Sequence, residues 1–152
     1  MRTDEFQNFL FKSAITAMAC DGSIEEREIS EIRNMAEKEI YFMGFDYKQP
    51  LEDNLAYIKE NGKDAINGYL SELSTANLND KQELVLVEVM LRTIESDERI
   101  EQNEIKFLQL VKSKLRTTEE AIITNFPKKM HLLIDFHNYG LHEEFTEDIK
   151  FE

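Results

Sequence analysis

Apolar side chains recur every three to four residues along most of the chain, which predicts helices. Phe6, Phe9, Leu10, Ala14, Ala17 and Met18 mark the buried stripe of a first helix over about residues 4–20, with Thr3 as its N-cap and Asp4 and Glu5 in the first turn. Asp21-Gly22 interrupts the stripe, because glycine tolerates the positive φ that ends helices and aspartate bonds the backbone of a turn. Ile24 is expected to point inward. The pattern resumes at Ile29, Ile32, Ala36 and Ile40 and predicts a long second helix to about Met43. Glu25 and Glu28 have the spacing at which a carboxylate in the first turn reaches back to the cap.

Gly44 closes that helix, and Pro50 suits the first turn of a short third one carrying Leu51, Leu55 and Ile58. Gly62 separates it from a fourth with Ile66, Tyr69, Leu70 and Leu73, before the polar break STANLND. Asn79 caps a fifth helix to Ser96, about 25 Å long and too long for an ordinary strand. Its residues 84–91 are apolar at all but Glu88, so it is expected at the centre, buried on most sides. Ile105, Leu108, Val111 and Leu115 define a sixth helix; Thr118 with Glu119 and Glu120 starts a seventh, which Pro127 stops. Met130, Leu132, Ile134 and Phe136 alternate like a strand, but the chain offers no partner strand. A short helix or an extended arm is expected there, anchored by some of these residues with Leu133, Phe145 and Phe151.

One stretch occurs twice. MACDGSIEEREISEI at 18–32 and IESDERIEQNEIKFL at 94–108 align at an offset of 76 and share the pattern D-x-x-I-E-x-x-E-I. Asp21, Ile24, Glu25, Glu28 and Ile29 pair with Asp97, Ile100, Glu101, Glu104 and Ile105. The apolar register continues on both sides, from Leu10 with Leu86 to Met35 with Val111. This is a duplicated unit of helix, acidic turn and helix. The expected fold class is all-α: about seven helices, with two pseudo-twofold related hairpins around a buried central helix. Residues 1–126 form the helical domain, and 127–152 are expected as a C-terminal tail packed on it.

Composition narrows the function. With 152 residues, 41% of them apolar, a single core that removes roughly 70% of the unfolded surface from water is expected. The net charge of −13 repels phosphate, so nucleic acid is not an expected partner, whereas basic protein surfaces and divalent cations suit the charge. Cys20 is the one cysteine and excludes an intrachain disulfide. The start MRTDEFQNF lacks the basic-then-apolar order of a signal peptide, and no apolar run reaches membrane-span length. A cytoplasmic protein without direct membrane insertion is expected, any membrane association passing through a partner.

The two turns, ACDGSIEEREI at 19–29 and ESDERIEQNEI at 95–105, resemble those of the tellurite-resistance TerB-like family. The pattern is also similar to the N-terminal domain of a membrane-linked DnaJ-type co-chaperone. The resemblance covers residues 4 to about 126, the second turn carrying Glu98 where the first has Gly22. It implies an all-α fold of about seven helices, no catalytic activity and a role in stress-response or envelope-associated assemblies; for the family's tellurite-resistance members it suggests metal association through the acidic turns.

The candidate metal ligands are Asp21, Glu25, Glu28, Asp97, Glu101 and Glu104, whose carboxylates suit Ca²⁺, Mg²⁺ or Mn²⁺. Against this, carboxylates at the head of a helix complement its dipole by about 0.3–1 kcal/mol each, reason enough for them to be there. A calcium EF-hand fails on ligand count: with Asp21 at loop position 5, Ala17 and Ala19 stand at positions 1 and 3. His131, His137 and His142 do not share a helical face, and the acidic neighbour of Cys20 works against a reactive thiolate. No phosphate-binding glycine loop, nucleophile elbow or H-E-x-x-H is present, so an enzyme is not expected. The sequence points to a non-catalytic adaptor or sensor that presents its acidic turns to a protein partner, with or without a bridging divalent cation; a cation-binding protein with the turn carboxylates as ligands is the alternative.

Overall fold

The computed structural model describes residues 1–22, 24–96 and 102–133, which form eight α-helices and no strand. Helix α1 spans Thr3–Met18, α2 Glu26–Lys38, α3 Lys48–Asn61, α4 Lys63–Thr75, α5 Asp80–Glu95, α6 Gln102–Ser113, α7 Glu119–Asn125 and α8 Met130–Leu133. The all-α class holds. Ile134–Glu152 lie outside the described residues, and with them the expected anchors Ile134, Phe136, Phe145 and Phe151.

The centre is a pair of helices rather than one. Helix α1 buries eleven of its sixteen residues, more than the eight of α5, and the two pack along each other. Helices α2 and α6 each pack on both members of this pair, α3 and α4 lie against α1, α7 joins α5, and α8 lies on α6. At about 1.5–3 kcal/mol for each fully buried large apolar side chain, the seam of Leu10, Ile15, Met18, Leu86, Met90 and Ile94 dominates the packing.

The duplication is physical. Shifted by 76, α1 falls on 79–94 and α2 on 102–114, within a residue or so of α5 and α6 at every boundary. The matched core pairs Leu10/Leu86, Ile15/Leu91, Met18/Ile94, Ile32/Leu108 and Met35/Val111 are all at most 2% exposed.

Two local expectations need correction. Arg2, not Thr3, is the N-cap of α1: its backbone is extended and its carbonyl accepts the Phe6 N–H at 2.8 Å. The second helix stops at Lys38 rather than Met43, because Glu39 turns extended (φ −83°, ψ 139°) and a 3-10 turn covers Ile40–Phe42. That break brings Phe42 onto the Phe11 ring, centroids 5.9 Å apart and edge-on, while the Gln7 side-chain amide donates to the Tyr41 and Met43 carbonyls. In the described part of the tail, a short helix is present as one of the two expected forms, with Leu132 and Leu133 in the core and Met130 exposed.

Candidate functional site

The first turn follows from its residues. Helix α1 tightens into a 3-10 turn over Ala19–Asp21, and Gly22 takes φ +95°, a conformation other residues adopt only with strain. Ile24 then packs partly buried against the core, and Glu25 caps α2. The Glu28 carboxylate, 2% exposed, accepts the Glu25 N–H at 3.0 Å, which is the reach-back the spacing predicts. Glu25 is exposed and pairs with Arg27 at 3.0 Å. Glu104 sits at the matching third position of α6 and is 1% exposed.

The six candidate ligands therefore divide. Glu28 and Glu104 are interior carboxylates at equivalent helix heads, and Glu25 faces solvent. Asp97 and Glu101 lie outside the described residues, and Asp21 is described in its backbone alone. Among the described residues no three His, Cys, Asp or Glu side chains converge as a metal-holding group. His131 is exposed, His137 and His142 lie outside the described residues, and Cys20 is fully buried with its thiol 3.4 Å from the Thr16 carbonyl.

Polar anchors that the apolar pattern does not announce hold the two hairpins. Gln7 and Glu83 are equivalent at the offset of 76, both nearly buried, and each pins the chain that leaves the second helix of its unit. Gln7 does so as a donor to the carbonyls of Tyr41 and Met43 at 3.3 and 2.9 Å. Glu83 does so as an acceptor, taking the backbone N–H groups of Arg116 and Thr117 at 3.1 and 2.8 Å and the Thr117 hydroxyl at 2.5 Å. The recurrence of a polar residue inside both copies of one apolar register is the sequence signal that locates them.

Arg92 on α5 ties α2 to the centre through Glu39, Glu31 at 3.4 Å and the Tyr41 hydroxyl at 3.4 Å. Its burial opposes the charge, but Glu39 and Tyr41 outweigh that and hold the guanidinium above its ordinary value. Burial likewise raises the Tyr41 hydroxyl, against the pull of Arg92. Tyr69, with no exposed surface, donates to the Ser13 hydroxyl at 2.6 Å; burial pushes its pKa well up, and the bond to Ser13 only partly offsets this.

At the end of α6, Lys112 is almost buried. Its ammonium donates to Gln109 Oε1 and Glu119 Oε1, each at 3.1 Å, and to the Leu133 carbonyl. Gln109 adds bonds to the Leu132 and Leu133 carbonyls at 3.2 and 3.0 Å, so polar side chains of α6 hold α8. No helix among the described residues is long and apolar enough to cross a membrane. No protein-family model matches the chain, and comparison with curated proteins and with solved structures gives no match either.

Proposed function

We propose that this chain is a non-catalytic, TerB-like adaptor or sensor module of a cytoplasmic stress-response assembly, whose acidic turns meet a protein partner. The observation that carries the reading is the division of labour at the head of α2. Glu28 turns inward and serves the helix cap, while Glu25 and Glu26 remain exposed beside it, on a turn fixed by Gly22 and Ile24. A held turn that displays carboxylates offers a basic surface a docking point with little ordering cost. The same sequence pattern recurs at residues 97–105. The alternative, a cation site built from the turn carboxylates, loses Glu28 to the cap and has Glu25 already paired with Arg27.

A photo-crosslinking residue placed at Glu26 and, as a control, at exposed Lys59 on α3 tests the reading in cells. Adducts to one partner are expected at position 26 only, and Glu25→Lys should reduce them at least tenfold. Equal adducts at both positions, or adducts indifferent to Glu25→Lys, would overturn it.

A further inference from the structure

The dipeptide Asn-Gly occurs twice, at 61–62 and at 67–68. An asparagine before glycine can cyclise, because the glycine carries no side chain to hinder its backbone nitrogen as it approaches the carboxamide. That nitrogen bonds to the asparagine Cγ, the bond from Cγ to the side-chain nitrogen breaks, and ammonia leaves with the proton given up by the backbone amide. Water then opens the succinimide at one carbonyl or the other, leaving aspartate or isoaspartate. No reagent other than water is consumed, so access of the glycine nitrogen to the carboxamide governs the reaction.

The fold treats the two sites differently. Asn67 and Gly68 lie inside α4, between Ala65 and Ile66 on one side and Tyr69 and Leu70 on the other, all at most 3% exposed. Turning the Gly68 nitrogen onto the Asn67 carboxamide would break the helix there and lift those four side chains from the core. Asn61 is the last residue of α3, and Gly62, at φ +54° and ψ −123°, is the whole connection to α4. Ile58 is the last buried side chain of α3; Lys59 and Glu60 are exposed and Asn61 is half-buried. Two hydrogen bonds close this turn, from the Gly62 N–H to the Ile58 carbonyl at 2.8 Å and from the Asn61 carboxamide to the Tyr57 carbonyl at 2.9 Å. They hold the reacting groups apart while the turn is closed, and both are released when the end of α3 frays, without moving a core side chain.

We infer that Asn61 is a site of self-modification, cyclising through Gly62 to aspartate and isoaspartate, and that α4 shields Asn67 from the same reaction. Either product places a negative charge at the carbonyl end of α3, which the helix dipole disfavours. Isoaspartate also adds a methylene to the main chain where a single glycine joins two packed helices. The site is separate in sequence from both acidic turns, so the inference stands or falls independently of their role.

The test incubates the folded full chain at mildly alkaline pH and maps its peptides by mass spectrometry, with an isoaspartyl carboxyl methyltransferase and a labelled methyl donor marking isoaspartate. Conversion at Asn61 is expected to exceed that at Asn67 at least tenfold, because only the first site opens without the core. Asn61→Gln, one methylene longer and slow to cyclise, should abolish the methyl label. In urea, with both turns open, the two sites should convert at similar rates. Comparable conversion of both sites in the folded chain, or faster conversion at Asn67, would overturn the inference. So would a preference for Asn61 that persists in urea, since the neighbouring residues rather than the fold would then set it, or an Asn61 that stays intact in the folded chain over a period that converts it fully in urea.

Discussion

At the scale of single residues, stability rests on a few buried polar side chains that bond backbone or side-chain groups far away in the sequence. Removing the Glu83 carboxylate leaves the Arg116 and Thr117 N–H groups without their acceptor, and each such loss costs about 1–3 kcal/mol. Glu83→Ala is expected to destabilise the chain by about 2–4 kcal/mol in urea unfolding, and Gln7→Ala, which strands carbonyls with a second lone pair, by roughly half as much. Tyr69 gives a pH signature. The folded chain keeps the Tyr69 proton at pH values where the unfolded chain, near the ordinary 10.0, has released it. Stability is therefore complete below pH 10 and falls as pH rises beyond it, by up to about 1.4 kcal/mol per pH unit from this group. Tyr69→Phe should flatten that alkaline decline in melting temperature; an unchanged slope would contradict the assignment to Tyr69. None of these residues was legible as an anchor from periodicity, because a polar residue at a core register looks like a flaw until its partner, distant in sequence, is placed beside it.

Among elements, the hairpins were the most legible part. Regular apolar spacing, Gly22, Asn79 and Thr118 are local signals, and the structure uses each where it stands: Gly22 at φ +95°, Asn79 accepting the Gln82 N–H at 2.8 Å, Thr118 accepting that of Ala121 at 3.1 Å. The end of α2 was not legible, since Ile40 and Met43 continue the helical pattern while the break depends on Gln7, Phe11 and Arg92 from other helices. The same holds for the position of α8, whose Leu132 and Leu133 carbonyls accept from Lys112 and Gln109, residues more than 20 positions away in the chain. Lys112→Met, which keeps the stem and removes the ammonium, is expected to release α8 locally. Hydrogen exchange at Leu132 and Leu133 should rise at least tenfold while exchange in α1 and α5 stays unchanged. Uniform loss of protection would instead make α8 part of the global folding unit.

For the whole molecule, duplication accounts for the fold: two copies of one hairpin bury a common seam between α1 and α5, and the copies then diverge at their ends, where Lys112 and Gln109 hold the Leu132 and Leu133 carbonyls in one and Ile40 and Met43 stand exposed in the other. That divergence depends on side chains far apart in sequence, so it was invisible in the repeat alone. At the candidate site the cap role of Glu28 was legible from its spacing to Glu25, but not the depth of its burial beside an exposed Glu25, which follows from helix phase and cap geometry. The first turn serves the cap of α2, and we propose that the acidic turns meet a protein partner rather than a cation. The most direct test of that reading is thermal unfolding of the chelator-treated chain with and without Ca²⁺, Mg²⁺, Mn²⁺ and Zn²⁺, repeated on Asp21→Asn with Asp97→Asn. The account predicts no metal-specific rise at millimolar concentration and the same response in the double variant. A rise approaching the roughly 2.7 kcal/mol expected at a hundredfold excess over the dissociation constant, abolished in the double variant, would contradict it and make the chain a cation-binding protein.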